Sequence, residues 1–195
     1  MRIQIITVFL LFPIVASAQA FNERLSEAAM ALEDQTVIYD PAYVPLAYPG
    51  GDVPADRGVC TDVVIRAYRK VGIDLQREVH RDMKENFHLY PKHWRLTAPD
   101  PNIDHRRVPN LMVFFKRKGL SLPVDHTTKT HRPGDIICWD LGGGITHIGL
   151  VVDRSSPDSG RYMIMHNIGA GQVLADVSIG HRIIGHFRYS GNTDH

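Results

Sequence analysis

Cysteine is scarce in this sequence, which contains only Cys60 and Cys138 among 195 residues. Secreted domains whose fold depends on disulfides have more cysteines, so a disulfide framework is excluded. Metal motifs are also lacking, because the chain has neither HExxH nor a cysteine pair at zinc-binding spacing. The run LGGG (141–144) is not followed by a helix at the spacing of a nucleotide-binding loop. We therefore expect no metal and no cofactor.

Long apolar runs are lacking beyond the first residues of the chain. The run from Ile3 to Val15 is shorter than the roughly 20 residues that a membrane-spanning helix needs. Arg2 precedes this run and Ala-Ser-Ala (16–18) follows it, the order typical of a secretory signal peptide. We expect residues 1–18 to be a signal peptide and 19–195 to be a single periplasmic or secreted domain without a membrane span. An uncleaved anchor is the alternative.

A charge excess of either sign is lacking as well. Lys and Arg number 22 against 21 Asp and Glu, and removal of a signal peptide containing Arg2 leaves 21 against 21. A neutral protein has no electrostatic attraction to nucleic acid or to an anionic membrane surface. We expect neither partner, and we expect a monomer.

The chain divides into a helical first half and a strand-rich second half. Apolar spacing predicts helices from about Asn22, over 59–71, over 74–87 and over 109–119. Apolar runs bounded by turn residues predict strands within 132–141, 146–153, 161–167 and 181–190. Helices followed by a meander of strands indicate an α+β domain, with the 59–71 helix packed on an antiparallel sheet.

Cys60 lies in the first turn of the 59–71 helix. It shares one apolar face with three residues at helical spacing: Val64, Ala67 and Val71. A helix start provides unpaired N–H groups and a positive dipole end, which can lower a thiol pKa and supply part of an oxyanion hole. Gly58 has no side chain to block a substrate backbone. Cys60 is therefore a candidate nucleophile, and the alternatives are a core residue or a disulfide with Cys138.

Two histidines are candidates for the base and for the group that orients it. His147 begins one predicted strand and His166 ends the next, so adjacent strands can bring them side by side. His147 would act as the base and His166 would hold its ring, the third role in a catalytic triad. Asn167 is the rival of His166, and alternation along the strand lets only one of them face His147.

The segments CTDVVIRAY, RPGDIICW, THIGLVVD and YMIMHN follow, in order, the pattern of NlpC-type cysteine peptidases. The chain is similar to that branch of the papain-like superfamily. The wider chain, including YDPAYVPLAYPGGDVPADRGVC and GHFRY, also resembles a secreted bacterial family known as a domain of unknown function. The resemblance implies a papain-like fold with Cys60 as nucleophile, His147 as base and His166 as the orienting residue.

The expected function is that of a secreted cysteine hydrolase, an amidase or endopeptidase. The resemblance implies peptide or amide bonds of cell-wall peptidoglycan as its substrate. Arg57 is a candidate for binding a substrate carboxylate, because its planar fork suits bidentate contact, although a salt bridge with a nearby Asp is the alternative. A non-catalytic binding or scaffold module on the same fold is the competing hypothesis.

Overall fold

The computed structural model describes residues 12–94, 96–125, 127–176 and 181–191, with the backbone alone for 12–18. Its helices are α1 (Phe12–Met30), α2 (Cys60–Lys70), α3 (Leu75–Asn86) and α4 (Val108–Lys118). Two short 3-10 helices lie at Phe87–Leu89 and Asp104–Arg106. The first eleven residues of the predicted signal peptide lie outside the described part. Its last residues belong to α1, which begins before the predicted start and continues past Ala18.

Eight strands form two sheets among the described residues. The short strands β1 (Ile38–Tyr39) and β2 (Arg57–Gly58) pair in parallel just before α2. An antiparallel sheet contains β3 (Leu120–Ser121), β4 (Ile136–Gly142), β5 (Ile145–Ser155), β6 (Tyr162–His166), β7 (Val173–Ala175) and β8 (Arg182–Arg188). Their order across the sheet is β3-β8-β4-β5-β6-β7. The predicted α+β class is therefore confirmed.

The predicted apolar face of α2 packs on one face of this sheet. Cys60, Val64 and Ala67 are buried in the main core, and Val71 packs against it. The sheet contributes alternate residues of its central strands to the same core: Ile136, Cys138, Ile148, Leu150 and Val152. The Ile148 backbone of β5 lies near Cys60, so the first turn of α2 lies beside the first half of that strand.

The opposite face of the sheet carries a second, smaller cluster. It contains five residues from four strands: Ile137, Trp139, Val151, Ile164 and Ile183. His147 is paired with Trp139 in the β4–β5 ladder, and their rings lie 5.6 Å apart.

Among the described residues, no helix combines the length and the apolar character needed to cross a membrane.

Two histidines outside the predicted site are buried in uncharged form. His105 and His131 are only 2% and 4% exposed. Burial lowers the pKa of His105 to about 3, and the neighbouring Arg106 cation adds to that effect. Burial likewise lowers the pKa of His131 to about 4, with His186 contributing. Both groups bind a proton more readily in the unfolded chain, whose histidines titrate near 6.5.

These depressed pKa values predict acid destabilisation. Each histidine contributes stability above pH 6.5 that is lost as the pH falls toward its folded pKa. We expect His105→Asn to flatten the fall in unfolding free energy between pH 6.5 and 4, by up to about 1.4 kcal/mol per pH unit. Urea denaturation at several pH values measures this slope, and exposed His88→Asn is the matched control. Identical slopes in wild type and His105→Asn would contradict the assignment.

Candidate active site

Cys60 is the first residue of α2 and forms part of the wall of a surface cleft. The cleft has a volume of about 210 Å³. It is lined by residues from the loops before α2 and α4 and from the start of β5, including Tyr39, Pro41, Trp94, Ile103, Arg107 and Thr146. The backbone N–H groups of Ile148, Thr61 and Cys60 itself lie near the sulfur and favour its thiolate form. The thiol therefore lies against the backbone of β5 at Ile148, the residue after His147.

The resting thiol is protonated, which corrects the expectation of a lowered pKa. Burial raises the pKa of Cys60 to about 11, and the carboxylate of Asp62 adds to this rise. The nearby N–H groups act in the opposite direction but do not offset the loss of hydration. Cys60 and Cys138 are both free, so they do not form the alternative disulfide.

His147 and His166 lie side by side, as the strand pattern predicted. His147 Nε2 is 2.9 Å from His166 Nδ1, and the rings meet at 82°. The β5–β6 ladder pairs Val151 with Ile164, a register that places His166 across from Gly149. Both imidazoles therefore project from the same face of the sheet, the face of Trp139 and Ile164, which is opposite to the face on which α2 packs. The structure thus brings His147 and His166 together, but neither ring belongs to the residues that line the cleft beside Cys60.

Gly149 provides the space for this contact. A Cβ at position 149 would lie 2.5 Å from Cγ2 of Ile164 and 3.2 Å from Cβ of His166. Any larger residue would push β6 away or displace the His166 ring. Glycine between His147 and Val151 therefore permits the two imidazoles to meet across the strand pair.

Both imidazoles are neutral near pH 7. Burial lowers the pKa of His147 to about 3, with repulsion from His166 as a second cause, and burial lowers the pKa of His166 to about 4. If His147 Nε2–H donates to His166, the lone pair of His147 lies on Nδ1, as a base requires. His166 then holds its own proton on Nε2, which is buried and without a hydrogen-bond partner among the described residues.

Asn167, the rival third residue, points away from His147. Its side-chain amide donates to the carbonyl of Gly58 at 3.4 Å, and its Oδ1 accepts from the N–H of Gly169. Asn167 thus connects the end of β6 to the segment just before Cys60. The structure places His166, and not Asn167, against the candidate base.

Arg57 and Gly58 do not lie where the sequence analysis placed them. Arg57 pairs with Asp40 and Asp56 and is absent from the residues that line the cleft. Gly58 is buried, and a Cβ there would lie 3.1 Å from the Asp62 side chain. The salt-bridge alternative therefore describes Arg57 correctly, and Gly58 makes room for a neighbouring carboxylate rather than for a substrate.

A buried ion pair that sequence reasoning missed holds the start of α2. Asp62 accepts from the Val59 N–H at 2.7 Å and from Arg106 Nε and Nη2 at 2.9 and 3.0 Å. Arg106 Nη1 also donates to the carbonyl of Ala42, and its own carbonyl accepts from Thr61 Oγ1. Asp at the third helical position is a recognisable capping signal, whereas nothing local marks Arg106 as its partner.

Tyr39 is a second residue that the sequence analysis missed. It belongs to β1, which pairs with β2 immediately before α2, and it lines the cleft with Cys60. Burial raises the pKa of Tyr39, and negative charge on Cys60 and Asp62 would raise it further. Its phenol is therefore a neutral donor close to the sulfur.

No three metal-binding side chains converge within the described ranges.

The ion pair predicts a large effect of removing one partner. Asp62→Asn leaves the Arg106 guanidinium buried without a counter-charge, so we expect a loss of about 3–5 kcal/mol of unfolding free energy. Asp56→Asn, the matched control, removes one partner of the exposed Arg57 and should cost far less. Urea denaturation measures both variants, and equal losses would show that Asp62–Arg106 is not a structural determinant.

The raised pKa of Cys60 predicts how the thiol reacts. Iodoacetamide attacks the thiolate, whose fraction rises about tenfold per pH unit below the pKa. We expect Cys60 labelling to accelerate steadily from pH 7 to 10 and to precede labelling of Cys138, whose pKa burial raises well above its usual value. Peptide mapping of timed samples measures both sites. A rate that is already maximal at pH 6 would indicate a preformed thiolate instead.

Comparison with known proteins places the chain in a family. The chain is 48% identical over 178 residues to "Uncharacterized protein YijF" of Escherichia coli (strain K12), covering 91% of this chain and 86% of that protein. No solved structure matches the chain. The model of the family described as "Domain of unknown function (DUF1287)" matches residues 26–189. The chain belongs to this DUF1287 family.

Proposed function

We propose that this protein is a cysteine hydrolase that cleaves peptide or amide bonds with Cys60, His147 and His166. The observation that supports it is the position of the Cys60 thiol beside the start of β5. The sulfur lies near the N–H of Ile148, and His147, the residue before Ile148, contacts His166 at 2.9 Å. Nucleophilic catalysis needs the thiol and its base within hydrogen-bond reach, so the proposal requires the His147 ring to reach the thiol.

The proposed reaction starts from a neutral site. His147 Nδ1 takes the thiol proton as the sulfur attacks the carbonyl carbon of the substrate, and His166 stabilises the imidazolium through His147 Nε2–H. N–H groups of the first turn of α2 and the Tyr39 hydroxyl are donors for the developing oxyanion. His147 then protonates the leaving amine. Water, deprotonated by His147, hydrolyses the thioester and regenerates the thiol.

The topology supports the resemblance to NlpC-type and papain-like enzymes. The nucleophile helix α2 packs on the sheet, and the two histidines lie on successive antiparallel strands β5 and β6. We infer a papain-like fold from this order of elements together with the placement of the site. The inference concerns architecture, and the activity rests on the residues of the site.

Peptidoglycan is the proposed substrate. The predicted signal peptide would deliver the protein to the periplasm or outside the cell, where peptidoglycan is the abundant polymer with unusual peptide bonds. The cleft is open at the surface beside Cys60, as the approach of a polymer-bound peptide requires. The near-neutral charge of the chain favours peptides over polyanionic substrates.

One observation favours the alternative of a non-catalytic binding module. Burial keeps Cys60 protonated and both histidines weakly basic, so the resting site holds no activated nucleophile. A binding module would retain the cleft and its affinity for peptidoglycan without releasing products. Activity and binding must therefore be measured separately.

Digestion of purified sacculi tests the proposal. We expect the protein without residues 1–18 to release soluble peptide fragments, and Cys60→Ala and His147→Ala to lose this activity by at least about a thousandfold. His166→Ala should lose less, because the base is still present. Cys138→Ala is the matched control, since it removes the other buried cysteine and should retain fragment release.

Mass spectrometry of the soluble fraction identifies the bond that is cut. Identical fragment profiles from wild type and Cys60→Ala would refute the hydrolase proposal. Co-sedimentation of Cys60→Ala with sacculi in that case would favour the binding module.

A further inference from the structure

The cleft beside Cys60 contains a second arginine, Arg107, that the sequence analysis did not select. Its side chain is 16% exposed, and Cζ lies 4.1 Å from the centroid of the Trp94 ring. Both residues line the same cleft as Cys60. An arginine stacked on an aromatic ring keeps its planar fork in a defined orientation.

The charge of Arg107 is poorly compensated by the protein. Among the described residues, its side chain makes one hydrogen bond, from Nη1 to Asp104 Oδ1 at 3.3 Å. Burial lowers the pKa of Arg107, and the carboxylates of Asp104 and Asp100 only partly offset this. Burial also raises the pKa of Asp104 to about 6, so its negative charge is itself unfavourable there.

The neighbouring Arg106, which also lines the cleft, has more of its donors paired. It makes two hydrogen bonds of 2.9 and 3.0 Å to Asp62, a third to the Ala42 carbonyl and a fourth to the Asp40 carbonyl at 3.5 Å. Arg107 makes one hydrogen bond among the described residues and retains donors in a partly dehydrated cleft. A bidentate carboxylate would satisfy those donors with short, charge-assisted hydrogen bonds.

We propose that Arg107, stacked on Trp94, binds a free carboxylate of the substrate and makes the enzyme selective for acidic peptides. This inference rests on the proposed hydrolase function. Pro41 and Ile103 provide apolar surface in the same cleft for the aliphatic part of the side chain that bears the carboxylate. The assignment moves the predicted carboxylate site from Arg57, which is ion-paired outside the cleft, to Arg107.

The test uses two soluble stem peptides that differ only by a carboxylate or a carboxamide next to the scissile bond. We expect wild type to prefer the carboxylate by at least about tenfold in kcat/KM. Arg107→Met, which removes the charge and preserves length, should reduce this preference to less than about threefold by raising KM. Arg107→Lys should restore part of it, because a point charge replaces the fork.

Arg154→Met is the matched control, since Arg154 is an exposed arginine that contacts Glu33 outside the cleft. It should keep the wild-type preference. A preference that persists in Arg107→Met would overturn the proposal, as would equal cleavage of both peptides by wild type.

Binding separates this inference from the hydrolase proposal. Calorimetry with Cys60→Ala measures affinity for both peptides without turnover. If no peptide is cleaved but Cys60→Ala binds the carboxylate form more tightly, and Arg107→Met removes that difference, the hydrolase proposal fails and the carboxylate site stands. If Cys60→Ala binds neither peptide, or binds both equally, the carboxylate site is refuted whatever the activity.

Discussion

The buried ion pair between Asp62 and Arg106 is the interaction on which the candidate site depends. The two side chains are 3% and 2% exposed, so neither charge is hydrated and each needs the other. Asp62 also accepts from the backbone just before Cys60, and Arg106 reaches the loop that follows β1. One pair therefore fixes three segments that are far apart in the chain. Their convergence creates the cleft in which the sulfur lies.

Loss of hydration on burial also determines the electrostatics of the site. A thiol on one face of the sheet and two imidazoles on the other are buried, and burial opposes the charged form of each. The favoured resting state is therefore neutral, with the proton on sulfur. His166 Nδ1 lies 2.9 Å from His147 Nε2, so it can accept a hydrogen bond from an imidazolium formed at His147. A transient imidazolium is the state that the His147–His166 contact is suited to stabilise.

Periodicity predicted the parts of this structure that are determined locally. Apolar spacing identified α2, α3 and α4, apolar runs bounded by turn residues identified β4, β5 and β6, and the adjacency of two strands placed His147 beside His166. Strands of two or three residues, such as β1 and β7, have too few side chains to show a pattern. The sequence pattern also did not predict which polar residues pair when they are distant along the chain. Arg106 and Arg107 are adjacent in a segment without periodicity and both line the cleft, and only tertiary contacts distinguish the arginine that pairs with Asp62 from the one that retains donors.

The contrast among three arginines shows how burial assigns their roles. Arg57 has a side chain that is 41% exposed and pairs with nearby carboxylates, so water and those partners already satisfy it. Arg106 is buried and paired with Asp62, and its charge stabilises the fold. Arg107 lies between these extremes, because it is dehydrated enough to favour a counter-ion but accessible enough for that ion to come from outside. A bound carboxylate is therefore stabilised most at the partly buried wall of the cleft, where Arg107 lies. The contacts of the adjacent Arg106 determine this position of Arg107.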